Sequence, residues 1–150
     1  MRSVAIVPAY QNLSTLPGVL DELALAGLPI IVVDDGSTDG TAQWIGEWIR
    51  RGADRWAVVL KANGGKGAAL EEGFKEAARR EFDAALTLDA DGQHRVEDAL
   101  RLLRECGPGR MMLGARDERA VGYPVTSLFG RRLWSLGMRA LTGLDRKSVV

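Results

Sequence analysis

Short runs of apolar residues recur at regular intervals along the chain. Each run is followed by a polar or glycine-rich patch, and then by a segment whose apolar residues have helical spacing. A run that is apolar throughout is typical of a parallel strand buried on both faces. The runs that predict such strands are Val4–Val7, Ile30–Val33, Ala57–Leu60, Ala84–Leu88 and Met111–Leu113. Alternation of strands and helices predicts an α/β fold, with an open, mostly parallel sheet flanked by helices.

The segments between the runs predict four helices. The third is expected from about Gly67 to Arg80, and the fourth from about Val96 to Cys106. The second begins near Asp39 or Thr41, either of which can cap it, and its two tryptophans are most simply core residues.

Length and composition limit the class of protein. The 150 residues are enough for one domain, predicted to span 1–150, and too few for two ordinary ones. The formal net charge is zero, so we expect no nucleic-acid partner. A single cysteine provides no disulfide framework, and no apolar run approaches the roughly 20 residues that span a bilayer. We therefore expect a cytoplasmic protein, soluble or peripheral at the inner face of the membrane.

Polar side chains follow every predicted strand. In open α/β sheets, ligands bind outside the carboxyl ends of the strands, so these residues are best considered together. They include four acids, two cations, several glycines and an aromatic, in the segments Pro8–Tyr10, Asp34–Ser37, Asn63–Gly67, Asp89–His94 and Gly114–Arg116. Purely structural loops would not need this chemistry, and the pattern therefore predicts a binding site at this edge.

Asp89, Ala90 and Asp91 end the fourth predicted strand. Two carboxylates separated by one residue on a turning backbone can both face one hard cation, and Gln93 offers a further oxygen. The expected metal is Mg²⁺ or Mn²⁺, which also binds phosphate oxygens and water. His94 is a softer ligand, and it either lines the site or is exposed.

The ends of the first two strands offer groups for a nucleoside. Side chains alternate along an extended chain, so Asp34 and Asp35 cannot both enter one pocket. One can accept hydrogen bonds from a base or ribose while the other braces the loop; alternatively, the segment is a capped turn with Gly36 at positive φ and Asp39 as N-cap. Tyr10 offers either a stacking face for a nucleobase or an aromatic at the rim.

The glycine-rich segment before the third helix is a candidate phosphate loop. Backbone N–H groups and the helix dipole favour an anion there, and Lys66 adds a positive charge beside Gly65. The spacing is that of neither a Walker A loop nor a Rossmann fingerprint. A simple helix start is the alternative.

The ordered set of motifs resembles the family 2 glycosyltransferases with the GT-A fold, and within them the dolichol- or polyprenol-phosphate mannose or glucose synthases. The resemblance covers about residues 3–145, and the Asp-Asp-Gly-Ser and Asp-Ala-Asp-Gly-Gln-His motifs make it highly specific. The matching segments are Val7–Tyr10, Val33–Thr41, Asn63–Ala69, Leu88–His94 and Gly114–Arg116.

The resemblance implies a site for a GDP- or UDP-sugar. Its binding residues would be Pro8, Ala9, Tyr10, Asn12, Asp35, Gly65, Lys66, Asp89, Ala90, Asp91 and Gln93. Asp89, Asp91 and Gln93 would hold the metal on the diphosphate, and Asp91, Arg116 and Arg131 would be catalytic. Asn12 stands where relatives usually carry Glu, so its contact to the base should differ.

The C-terminal quarter is basic, with eight Lys/Arg against three acids in residues 110–150. Its segment Ser127–Leu141 combines Trp and Leu with Arg at helical spacing, which suits an anionic membrane surface, packing against a further C-terminal region, or contact with another subunit in a homo-oligomer. Relatives continue beyond Leu141–Gly143 into an acceptor region, so we expect that region to be missing or reduced here.

The resulting hypothesis is transfer of a sugar, with inversion, from a nucleoside diphosphate to a polyprenol or dolichol phosphate. The acceptor oxygen is already anionic at pH 7, so no strong general base is needed. The alternative is a non-catalytic or incomplete nucleotide-sugar-binding module. A phospho-signalling receiver domain would need its acid pair after the first strand, where Pro8–Tyr10 stand, and the early loop of sugar nucleotidyltransferases is absent.

Overall fold

A computed structural model describes residues 1–93 and 95–107. Strands and helices alternate along this part of the chain as the pattern predicts. The elements are β1 (Ser3–Ala9), α1 (Leu16–Leu25), β2 (Ile30–Asp34), α2 (Thr41–Ile49), β3 (Arg55–Val59), α3 (Lys66–Arg79), β4 (Ala84–Thr87) and α4 (Val96–Glu105). The fifth expected strand, Met111–Leu113, lies outside the described residues. No helix within the described ranges has the length and apolar character needed to cross a bilayer.

The described strands form a parallel sheet in the order β3-β2-β1-β4. The chain moves outward from β1 through β2 to β3, and then returns to place β4 on the opposite side of β1. This reversal leaves a crevice between the carboxyl ends of β1 and β4, where sheets of this type bind ligands.

Helices cover both faces of the sheet. Alternate residues of β1 and β2 point to opposite faces, so Ala5 and Val7 belong to one buried cluster while Val4 and Ile6 belong to the other. The first cluster includes buried residues of α1, α2 and α4, and the second is closed by α3. Packing of α3 is so close that a Cβ on Gly73 would lie 2.5 Å from Ile6 Cγ2, which is why glycine is required there.

Burial on both faces was expected for every strand, and this is wrong for β3 and β4. The residues of β2 are all buried, whereas those of β3 are intermediate or exposed and those of β4 alternate between the two classes. Each of these outer strands pairs with a single described strand, so less of its surface is covered.

The start of α2 also differs in detail from the expectation. Gly40, with a φ of 91°, holds the N-cap position instead of Asp39 or Thr41. The Asp39 carboxylate nevertheless accepts hydrogen bonds from the N–H of Thr41 at 3.0 Å and from its hydroxyl at 2.6 Å, and the hydroxyl contact is the main reason that the pKa of Asp39 is lowered. The expected core role of the helix tryptophans is confirmed for Trp48, which is buried, while Trp44 is partly buried and stacks on it.

Candidate functional site

An open cleft of about 360 Å³ lies at the carboxyl edge of the sheet. Its walls come from the segments that follow all four strands and from the start of α3. The lining residues are Pro8, Ala9, Tyr10, Asn12, Asp35, Asn63, Gly65, Lys66, Ala69, Asp89, Ala90 and Asp91. The structure therefore brings together every residue expected to bind the nucleotide-sugar except Gln93, which is not among the lining residues.

Asp35 lines the cleft but is already engaged by backbone groups. Its two carboxylate oxygens accept hydrogen bonds from the N–H of Gly64 and of Gly65, each at 2.8 Å. This contact connects the end of β2 to the start of α3. The carboxylate of Asp35 therefore binds N–H groups that were predicted to bind the phosphate of a ligand. A nucleoside contact for Asp35 remains a prediction, and it would have to share a carboxylate that also holds this loop.

Asp34 is the acid that braces its own loop. Its Oδ2 accepts a hydrogen bond from the Ser37 N–H at 3.3 Å, and its buried Oδ1 has no hydrogen-bond partner within the described part of the chain. Gly36 has a φ of 71°, as the capped-turn interpretation expected, and a Cβ there would lie 2.6 Å from the backbone of Ala62. The loops after β2 and β3 therefore approach each other closely enough to require glycine.

The segment after β1 is held in a strained turn beside the cleft. Gln11 has a φ of 54°, and its N–H donates to Ser37 Oγ at 2.9 Å. Its side-chain amide donates to the hydroxyl of Tyr10 at 3.3 Å, and Tyr10 is half-exposed. Asn12 Oδ1 accepts a hydrogen bond from the Tyr10 N–H at 3.1 Å, which stabilises the turn. Its contact with a nucleotide-sugar remains a prediction.

Contacts with other described residues help to fix the Asp89–Asp91 turn. Asp89 Oδ1 lies 2.5 Å from Lys66 Nζ, and Asp91 Oδ1 accepts a hydrogen bond from the Gln93 N–H at 2.9 Å. The carbonyl of buried Ala90 accepts a hydrogen bond from the Thr15 hydroxyl at 2.6 Å. The turn is therefore held by the residue that precedes α1, by the first residue of α3 and by a contact within the turn itself.

The donor set of this turn fits a hard divalent cation. Asp89 and Asp91 supply carboxylate oxygens to the same cleft, which is the chemistry that Mg²⁺ and Mn²⁺ prefer. Within residues 1–93 and 95–107, no group of three His, Cys, Asp or Glu side chains gathers to form a complete cage, so phosphate and water would have to complete the coordination shell. The side chain of Gln93 remains a predicted third ligand.

Two residues of the site were not predicted from the sequence. Asn63 lines the cleft, although within its segment only Gly65 and Lys66 were predicted to bind a ligand. Thr15 holds the N-cap position of α1, but its side chain makes no capping hydrogen bond and donates to the Ala90 carbonyl, 75 residues away. A cap-type residue gives no sequence signal for such a distant partner.

The remaining predicted site residues lie outside the described residues. These are Arg116 and Arg131, with His94 and the segment Ser127–Leu141. Their proposed contacts with phosphate, membrane or another subunit remain predictions.

Comparison with known proteins agrees with the motif pattern. Residues 4–131 match the sequence model of the family described as glycosyl transferase family 2. An undecaprenyl-phosphate mannosyltransferase of Micrococcus luteus is 29% identical over 150 residues, which cover 97% of this chain and 62% of the relative. A polyprenol monophosphomannose synthase of Mycolicibacterium smegmatis is 34% identical over 119 residues, which cover 77% of this chain and 45% of the relative.

A solved structure is similar as well. The crystal structure of S. aureus TarS 1–349 is similar with a TM-score of 0.59 and 26% identity, over 83% of this chain and 38% of that one. The chain thus spans less than two thirds of the length of these relatives.

Proposed function

Since this chain belongs to glycosyl transferase family 2 and has the GT-A fold, we propose that it transfers a sugar, with inversion, from a nucleoside diphosphate sugar to a polyprenol or dolichol phosphate. The observation that carries the proposal is the cleft itself. An aromatic, two carboxylates and a lysine, from the segments after β1, β3 and β4, line one cavity at the point where the strand order reverses. The aromatic suits a nucleoside, the lysine suits a diphosphate, and the two carboxylates suit a metal.

The nucleoside half of the donor would occupy the side of the cleft formed by the segment after β1. Tyr10 is half-exposed and its hydroxyl is held by Gln11, so its ring can stack on a base without first being ordered. Pro8 and Ala9 complete an apolar wall, and Asp35 lies next to it. Both GDP- and UDP-sugars fit these groups.

The diphosphate half would lie between α3 and the Asp89–Asp91 turn. Lys66 supplies a positive charge there, and Arg116 and Arg131 would add to it. Mg²⁺ or Mn²⁺ bound by Asp89 and Asp91, with the Gln93 amide, would offset the negative charge that develops on the leaving diphosphate. The two arginines, and Asp91 through the metal that it would hold, would be the catalytic residues because they would stabilise that charge.

The acceptor proposal follows from the names of the relatives. The two curated relatives are named for transfer to undecaprenyl phosphate and for synthesis of polyprenol monophosphomannose. An acceptor phosphate is anionic at pH 7, so the cleft needs no strong general base to activate it. A lipid acceptor would bring the chain to a membrane surface, which we propose to be the cytoplasmic face, with the basic residues 110–150 as a peripheral contact or as a subunit interface.

The test has a binding arm and a transfer arm. In the first, thermal unfolding is followed with GDP- and UDP-sugars, with and without Mn²⁺, because a ligand that binds the folded state raises the melting temperature. In the second, transfer of labelled sugar to polyprenol phosphate in detergent is measured.

We expect one nucleotide-sugar to stabilise the chain in the presence of Mn²⁺ and to support transfer. Stabilisation without transfer would favour the alternative, a non-catalytic or incomplete binding module. No stabilisation by any nucleotide-sugar would overturn the proposed function.

A further inference from the structure

The ion pair between Lys66 and Asp89 places an ammonium group at the carboxylate proposed to bind the metal. Nζ and Oδ1 are 2.5 Å apart, a distance at which the ammonium occupies the oxygen that a cation would approach. We propose that Lys66 is the built-in occupant of the Asp89 cation site, and that a divalent metal enters by displacing it. The inference rests on the proposed function in taking Asp89 as a metal ligand.

Stability of the fold does not explain this ion pair. The Lys66 side chain is 59% exposed and that of Asp89 is 35% exposed, and a solvated pair of this kind changes the folding equilibrium by no more than about fivefold. Lys66 is moreover the first residue of α3, where the positive end of the helix dipole disfavours a cation. The lysine therefore stands at a position that helix stability alone would give to a neutral or acidic residue.

Displacement of Lys66 links the metal to the diphosphate. The long, exposed lysine side chain can move its ammonium from Asp89 to a phosphate oxygen when a diphosphate enters the cleft. That movement removes both the competing hydrogen bond and the like charge from the metal site. Each ligand therefore raises the affinity for the other by more than their direct contact provides, and the effect is reciprocal.

The decisive measurement is Mn²⁺ binding in the absence of nucleotide, followed by the electron paramagnetic resonance of free Mn²⁺. We expect Lys66→Met to bind Mn²⁺ about three- to tenfold more tightly than the unmodified chain, because competitor and repulsion are both removed. Lys61→Met is the matched control: Lys61 is exposed in the same β3–α3 segment and has no ion pair with the described residues, so loss of its charge should leave Mn²⁺ affinity unchanged.

Lys66→Met should have the opposite effect on nucleotide affinity and should weaken the coupling between nucleotide and Mn²⁺. Lys66→Met should then bind GDP or UDP more weakly, and the gain in Mn²⁺ affinity that the nucleotide brings should be smaller than in the unmodified chain. Lys66→Gln, which lacks the charge but keeps a polar side chain, provides a second variant, and circular dichroism verifies that each variant is folded.

Two further variants separate failure of this inference from failure of the proposed metal site. If Asp89→Asn abolishes Mn²⁺ binding while Lys66→Met leaves it unchanged or weaker, the metal site stands and displacement of Lys66 is refuted. If neither Asp89→Asn nor Asp91→Asn alters Mn²⁺ affinity, the metal is not bound by this turn, and both the metal site and the inference fail.

Discussion

The charged residues at the two ends of α3 differ in their relation to the helix dipole. At its C-terminal end, Glu76 accepts hydrogen bonds from both Arg79 and Arg80, and a basic residue in the last turn complements the helix dipole. At its N-terminal end, in the cleft, Lys66 stands against the dipole and makes a solvated ion pair with Asp89.

The C-terminal arrangement is also reinforced by aromatic contacts. The guanidinium of Arg80 lies 4.2 Å from the centre of the Trp56 ring, and Trp56 contacts Phe82 edge-on. Residues that follow the rules of helix stability are therefore expected to affect folding, while residues that break them at the cleft are expected to affect function. This difference can be tested at each end.

The largest expected effect is on transfer, from Asp91→Asn in the cleft. Loss of one carboxylate of the proposed metal site should lower the transfer rate by on the order of 100-fold or more, because stabilisation of the leaving diphosphate would be weakened. The asparagine Oδ1 can still accept the Gln93 N–H, so the free energy of unfolding should change by no more than about 0.5 kcal/mol.

Asp98→Asn is the matched control for that variant. Asp98 is exposed on α4 and is not among the residues that line the cleft, so the same chemical change should leave transfer intact. Equal losses in both variants would show that the cleft is not the site of the reaction.

The second expected effect is on stability, from Glu76→Gln at the other end of α3. Hydrogen bonds from Arg79, and then from Arg80, lower the pKa of Glu76 from 4.5 to about 2. The ionised group is therefore stabilised by folding, and chemical denaturation at pH 7 should show a loss of about 1–2 kcal/mol in the variant. The affinity of the folded variant for nucleotide-sugar should be unchanged.

The pH dependence of that loss has a definite sign. A carboxyl whose pKa is lower in the folded state contributes stability above its unfolded pKa and loses it on protonation. The difference between the unmodified chain and Glu76→Gln should therefore be constant above about pH 4.5 and shrink as pH falls towards 2. Glu72→Gln, which breaks an exposed pair with Lys75 on the same helix, should lower the free energy of unfolding at pH 7 by less than Glu76→Gln does.

A smaller effect should come from Thr15→Val, which removes the hydroxyl that donates to Ala90 and keeps the side-chain shape. Loss of this hydrogen bond loosens the Asp89–Asp91 turn, so affinity for Mn²⁺ with nucleotide should fall about five- to tenfold. Thr15→Ser keeps the hydroxyl and should restore the affinity. A merely structural role would instead lower the melting temperature of Thr15→Val without changing its affinity for ligand.

The smallest effect is expected within the Glu76 cluster itself. Arg79 is 66% exposed, whereas Arg80 is 26% exposed and packs on Trp56. Arg79→Gln should therefore change the free energy of unfolding less than Arg80→Gln, for which we expect a loss of roughly 1 kcal/mol. Equal changes, measured by urea denaturation, would contradict the importance of burial and ring contact.

Much of the fold and of the site could be predicted from the local sequence. Unbroken apolar runs predicted the four described strands, and the polar groups after them predicted nearly the whole lining of the cleft. Burial of β3 and β4 could not be predicted in the same way, because it depends on how many neighbours a strand acquires. The spacing of apolar residues along the sequence does not indicate how many neighbouring strands a strand will have.

Contacts between loops could not be predicted from the local sequence pattern either. Asp35 binds the N–H groups of Gly64 and Gly65 only because two loops converge, and the Thr15 hydroxyl reaches Ala90 only because β4 lies beside β1. The motif identified which residues belong to the site. Their hydrogen-bond partners were determined by tertiary packing.

The strand order also has a consequence for folding. β1 can pair with β2 after closure of a short loop, but Ser3 meets Ala84 only when about eighty residues have been brought into a loop, at a higher cost in chain entropy. Pairing of β1 with β4 should therefore be the slow, late step for this part of the chain. During synthesis, β1, β2 and β3 can assemble while Asp89 and Asp91 are still inside the ribosome, so the carboxylate pair joins the cleft after the walls that follow these three strands.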